Sequence, residues 1–127
     1  MKDNYHILIV EDEFVLAHSL KTSLEAWLRV KCNVVSTGAS ALQEFERAKF
    51  DLVLIDIGLP DGPDGIQTGK QMLEQRKLPL VFLSGYSDRE TMNRADGLNY
   101  AAFLVKPIDE TLVCKEVQRL LPGAELP

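Results

Sequence analysis

The sequence predicts a doubly wound α/β fold, with five parallel strands in one sheet and five helices covering both faces. Two observations predict it. Five short apolar runs alternate with five segments in which apolar residues recur every three or four positions. The runs are continuous rather than alternating, as suits strands buried on both faces of a parallel sheet. The 127 residues show no internal repeat, low-complexity stretch or linker, so residues 1–127 read as one domain. Its core is expected at about 6–121, with a frayed tail over 122–127.

The first strand is His6-Ile7-Leu8-Ile9-Val10, ending in Glu11-Asp12-Glu13. A helix follows with Leu16, Ala17, Leu20, Leu24, Trp27 and Leu28 on one face. Trp27 is read as core or helix-end packing. Asn33-Val34-Val35-Ser36 is a short, weaker strand, and Thr37-Gly38 opens a helix with Leu42, Phe45 and Ala48 inward. Leu52-Val53-Leu54-Ile55 is the central strand. It stops at Asp56 and gives way to turn chemistry, Gly58-Leu59-Pro60-Asp61-Gly62-Pro63-Asp64-Gly65. Ile66, Gly69, Met72 and Leu73 mark the third helix, where Gly69 costs about 1 kcal/mol against Ala and points to close packing.

Pro79-Leu80-Val81-Phe82-Leu83 is the fourth strand, ending at Ser84-Gly85. Ser87 and Glu90 fit a capping box for a fourth helix. That helix has few inward candidates, Met92, Ala95 and Leu98, and should be the least firmly held. Ala101-Ala102-Phe103-Leu104-Val105 is the fifth strand, ending at Lys106-Pro107. Asp109 caps a last helix that should bury Leu112, Val113, Val117, Leu120 and Leu121.

Composition narrows the function. A net charge of −5 argues against direct nucleic-acid binding. No apolar run approaches the ~20 residues of a membrane span. The N-terminus has no signal-peptide pattern, so a cytoplasmic location is expected. Cys32 and Cys114 lack metal-site spacing and read as reduced core thiols.

Four strands end in residues able to do chemistry, Glu11/Asp12, Asp56, Ser84 and Lys106, all at carboxyl ends. Ligands of open parallel sheets bind just beyond those ends. Carboxylates gathered within about 5 Å repel by about 3 kcal/mol per pair at an effective dielectric near 20. The cluster therefore needs a cation or a shifted pKa. Hard oxygen ligands select Mg²⁺, Mn²⁺ or Ca²⁺, and Mg²⁺ is usual where phosphate chemistry follows. The Gly58 carbonyl could join Glu11, Asp12 and Asp56 as a metal ligand. Asp56 is the candidate nucleophile towards a phosphoryl group, with Lys106 and the Ser84 hydroxyl holding its oxygens.

These residues resemble a family. Ile9-Val10-Glu11-Asp12-Glu13, Asp56-Ile57-Gly58-Leu59-Pro60, Ser84-Gly85 and Phe103-Leu104-Val105-Lys106-Pro107, in that order, are similar to the motifs of receiver domains of bacterial two-component response regulators. The resemblance runs from about His6 to Leu121. It implies the flavodoxin-like strand order 2-1-3-4-5, Asp56 as phosphoacceptor, and Mg²⁺ held by Asp12, Glu11 and Gly58. It also implies a cis Lys106–Pro107 bond, Ser84 as switch hydroxyl and Phe103 as switch aromatic. Its partners would be a sensor histidine kinase or a histidine phosphotransfer protein, and a downstream protein reading the fourth helix, fifth strand and last helix. A stand-alone monomer or weak homodimer is expected, promoting its own phosphorylation and dephosphorylation without being a turnover enzyme. Two features depart from the usual pattern. Ser84 stands where Thr is commoner, and Phe103 where Tyr is.

Other readings are weaker. A receiver-like module binding partners without phosphorylation would ordinarily have lost the acceptor, the acidic pair or the Lys. A small Mg²⁺-dependent phosphohydrolase would have a glycine-rich phosphate cradle after the first strand, where this chain has Glu11-Asp12-Glu13. His18-Ser19-Leu20-Lys21 is similar to the His-x-x-Lys of histidine phosphotransfer proteins, but those are four-helix bundles. His6 begins a strand and reads as structural. Glu13 reads as a first-turn acid favouring the helix dipole rather than a third metal ligand.

Overall fold

The computed structural model describes residues 4–85 and 88–126. Strands and helices alternate: β1 (Tyr5–Val10), α1 (Phe14–Trp27), β2 (Val30–Val35), α2 (Gly38–Arg47), β3 (Leu52–Asp56), α3 (Gly65–Gln75), β4 (Leu80–Ser84), α4 (Arg89–Asp96), β5 (Ala102–Val105) and α5 (Glu110–Leu120). All neighbours in the sheet are parallel, in the order β2-β1-β3-β4-β5. This is the expected architecture.

Strand alternation splits the core into two. Ile7, Ile9, Leu52, Leu54, Val81 and Leu83 face α1 and α5, where Leu20, Leu24, Val113 and Val117 meet them. Leu8, Val10, Val53, Ile55, Leu80 and Phe82 face the other way, onto Ala41 and Phe45 of α2, Met72 of α3 and Ala95 of α4. Because β1 from Ile7 onward, β3 and β4 are covered on both faces, these stretches carry no polar side chain until their carboxyl ends. Cys32 and Cys114 are free and buried, and burial pushes their thiols up to about 12 and about 11.

Several expectations need correction. β2 starts at Val30, not Asn33, because Lys31 and Asn33 point to solvent while Val30 and Cys32 point inward. Its outer edge is capped from α1 at Cys32: the Glu25 carboxylate accepts the Cys32 N–H at 2.8 Å, and Lys21 Nζ donates to the Cys32 carbonyl at 2.6 Å. Burial raises the Glu25 pKa, but these two donors outweigh it and hold the group below its usual value. Trp27 is about half-exposed at the last turn of α1, since Leu24 and Leu28 take the inward positions. Leu112 is likewise half-exposed, while Cys114 is buried as expected. Ser87 lies outside the described residues. The N-cap of α4 is Asp88, whose carboxylate accepts the Thr91 N–H at 2.8 Å. As expected, α4 buries only one residue, Ala95.

The largest difference is at the carboxyl end. The 122–126 segment folds back instead of fraying. Ala124 is fully buried, its carbonyl accepts the Arg29 N–H at 2.6 Å, and Glu125 pairs antiparallel with Leu28. Tyr5 also donates its hydroxyl proton to the Pro122 carbonyl at 2.6 Å. Deleting residues 122–127 is expected to lower stability by about 2 kcal/mol, from lost burial and an orphaned Arg29 N–H. Urea denaturation of the shortened chain checks this; an unchanged midpoint contradicts it.

Candidate functional site: an acidic pocket closed by one lysine

Backbone hydrogen bonds between strand ends fix the site before any side chain is considered. Glu11 N–H donates to the Val35 carbonyl at 3.0 Å, Ile57 N–H to Leu83 at 2.9 Å and Lys106 N–H to Ser84 at 2.8 Å. The residues that leave the sheet at Val10, Asp56, Ser84 and Val105 are thereby held at one edge. Asp56 ends the central strand and is almost fully buried. Gly58 N–H returns to its Oδ1 at 3.1 Å. The loop then turns through Asp61 and Gly62, both with positive φ, of 52° and 106°. Asp is among the few non-glycine residues that tolerate that region.

The next helix starts hard against this strand end. Gly65 N–H donates to the Ile57 carbonyl at 2.9 Å. A Cβ on Gly65 would stand 2.1 Å from the Asp56 carbonyl oxygen, so only glycine fits. Asp64 caps α3 in a reciprocal box with Gln67, and its other oxygen accepts from Arg94 of α4 at 2.7 Å.

Carboxylate oxygens of Glu11, Asp12 and Asp56 lie within 4.8 Å of one another. Glu11 is buried and Asp12 exposed, so the cluster has an inner wall and an open rim. Lys106 closes it. Its Nζ sits 3.0 Å from Glu11 Oε1, 2.9 Å from Glu13 Oε1 and 3.3 Å from Asp56 Oδ2. The approach to Glu11 Oε1 is off the hydrogen-bonding direction, so charge alone holds that buried oxygen. Burial pushes the Glu11 carboxyl up to about 7, against the Glu13 N–H and Lys106. Burial also works against the Lys106 ammonium, but contacts with Glu13, Glu11 and Asp56 outweigh it and raise its pKa.

A buried carboxylate oxygen without a directed partner, beside two further hard oxygen donors, fits a divalent cation of the Mg²⁺ type. The fit rests on donor chemistry: among the three clustered residues there is no thiol or imidazole.

The remaining expected site residues are placed as follows. Ser84 is fully buried at the end of β4, in register with Val105. Phe103 is half-buried, its ring 6.2 Å from Phe82 and 6.1 Å from Tyr100. The Lys106–Pro107 bond is cis. Glu13 was missed as a partner of Lys106; the only sequence signal was its place as the third acid in a row. The Asp64–Arg94 pair spans 30 positions and left no signal in the sequence.

A family model described as the response regulator receiver domain matches residues 7–118. The chain is 30% identical over 120 residues to the transcriptional regulatory protein PdtaR of Mycobacterium tuberculosis, covering 94% of this chain and 55% of that one. It is also 30% identical over 127 residues to the uncharacterized response regulatory protein VC_A0850 of Vibrio cholerae, covering 95% and 48%. The chain thus spans about half the length of these curated relatives. Among solved structures, a CheY-like receiver domain from Methylobacillus flagellatus superposes with TM-score 0.78 at 29% identity, covering 93% of this chain and 99% of that one. A CheY-like protein from Methanospirillum hungatei JF-1 gives TM-score 0.86 at 24% identity, with 91% and 92% covered, and so speaks for the fold alone. With nearly its whole length matched and the acidic pocket at the expected edge of the sheet, the chain belongs to the response regulator receiver domain family.

Proposed function

We propose that the chain is a phosphorylatable signalling receiver that accepts a phosphoryl group on Asp56. The observation that carries this reading is the convergence of Asp56, Glu11, Asp12 and Lys106 in one pocket. Asp56 needs no general base, because an ionised carboxylate has no proton to lose. One of its oxygens forms a bond to phosphorus while the donor's P–N bond to a histidine breaks. The electron pair of that bond leaves with the donor's imidazole. The donor would be a sensor histidine kinase or a histidine phosphotransfer protein.

Glu11, Asp12 and Asp56, with the Gly58 carbonyl, would hold Mg²⁺, which supplies positive charge for the phosphoryl oxygens. Lys106 binds one of those oxygens directly, and Ser84 offers a hydroxyl to another. The acyl phosphate carries roughly −2 where the carboxylate carried −1. Its pull on Ser84 opens room for Phe103, whose ring already leans on Tyr100 and Phe82. The responding face is α4, β5 and α5, supported by the single buried residue of α4 and by half-exposed Val105 and Leu112. A protein partner reads that face, in a cytoplasmic setting, from a monomer or weak homodimer.

Intact-mass spectrometry after incubation with acetyl phosphate and Mg²⁺ tests the assignment. One phosphoryl group per chain is expected, and none in Asp56→Ala. Modification that persists in that variant excludes Asp56 as the acceptor.

A further inference from the structure

Glu13 touches the reacting lysine but has no part in the site as assigned above. An ammonium has three N–H donors, and three carboxylates surround the one on Lys106. They are not equivalent. The Glu11 side chain is fully buried, that of Asp56 is 6% exposed and that of Glu13 is 60% exposed. Glu13 occupies the N-cap position of α1, yet its side chain makes no capping hydrogen bond. Its backbone N–H, not its carboxylate, ties it to Glu11 Oε2 at 3.0 Å. The carboxylate is thus committed to Lys106 rather than to building the helix.

We propose that Glu13 is a positioning residue that parks Lys106 before phosphorylation and competes with the incoming phosphoryl group for its ammonium. This rests on Asp56 being the acceptor. The directed N–H contacts of Lys106 go to Glu13 and Asp56, and Glu11 is held by charge, so a phosphoryl group on Asp56 draws the ammonium inward at the expense of the Glu13 contact. Releasing Glu11 would strand a buried charge, whereas Glu13 returns to water at little cost. Once the phosphoryl group is in place, its charge of roughly −2 repels Glu13 and keeps it away. Glu13 therefore sets how much phosphodonor is needed before the site loads, and it leaves the transfer step itself alone.

The test compares wild type with Glu13→Gln and Glu13→Asp at saturating Mg²⁺, using acetyl phosphate and beryllofluoride as probes. Glu13→Gln should lower KM for acetyl phosphate about fivefold and tighten beryllofluoride binding by a similar factor. Its kcat should move by less than about twofold, since the competing contact is gone before transfer. The advantage should shrink as salt rises, because it comes from an exposed charge. Glu13→Asp, which keeps the charge, should stay near wild type. An unchanged KM in Glu13→Gln overturns the proposal, as does an equal gain in Glu13→Asp or a gain indifferent to salt. Failure of the acceptor assignment looks different: wild type itself then takes no phosphoryl group on Asp56.

Discussion

Gly65→Ala is expected to cost about 3 kcal/mol of stability and to slow phosphorylation by acetyl phosphate at least about tenfold. The added methyl would meet the Asp56 carbonyl oxygen at 2.1 Å, the Ile57 Cα at 2.6 Å and the Asp56 carbonyl carbon at 2.8 Å. All three are backbone atoms of the strand end that presents the acceptor. That backbone is itself fixed by Ile57 N–H to Leu83 and by Gly65 N–H to Ile57. Relief therefore moves either α3 or Asp56, and moving Asp56 changes its approach to Lys106. Gly69→Ala is the control. There the methyl meets Leu80 Cδ2 at 2.8 Å, the end of a side chain that can rotate. The gain of about 1 kcal/mol from replacing a helical glycine then offsets much of the crowding. Urea denaturation and the modification rate of both variants decide the matter. Equal losses at the two positions would rule out backbone collision as the cause.

The second large effect is a dependence of stability on pH that Mg²⁺ abolishes. Burial lifts the Glu11 carboxyl from 4.5 to about 7. A carboxyl raised on folding contributes stability that is complete below its unfolded pKa and is lost as pH climbs through its folded one. From this group the loss between pH 4.5 and about 7 is about 3 kcal/mol. Glu25 acts with the opposite sign: its pKa is lowered, so its contribution is present above its unfolded value and fades on acidification. Glu11→Gln separates the two. With the metal chelated, the wild-type urea midpoint should fall between about pH 5 and about pH 8, while that of Glu11→Gln stays nearly level. Saturating Mg²⁺ should flatten the wild-type curve by favouring the charged form of Glu11. Parallel curves for the two chains in chelator would show that Glu11 is not the group responsible.

How much of this was legible in the sequence depends on where each residue's partners lie. β1, β3 and β4 are buried on both faces, so their apolar runs are unbroken and their carboxyl-end residues stand out. That made Glu11, Asp12, Asp56 and Ser84 readable together; Lys106 joined them because β5, though an edge strand only partly buried, is still an unbroken apolar run. β2 is an edge strand with alternating burial, so its first residues looked like loop. Leu112 lies half-exposed on α5 because apolar spacing alone does not fix which side of a helix meets the sheet. The returning segment at Ala124 carries no strand-like pattern. It is held by Arg29 and Leu28, some 95 positions away, and such contacts leave no local trace. Glu13 was visible but ambiguous, since a third consecutive acid beside a helix start suits the dipole equally well.

The side chains of Lys21 and Glu25 have a consequence at the scale of assemblies. By occupying the outward N–H and C=O of Cys32, they interrupt the middle of that flank as a template for any extended segment seeking to zipper onto it. A neighbouring copy that approached β2 edge to edge would have to displace this lysine and this glutamate before a continuous ladder could form.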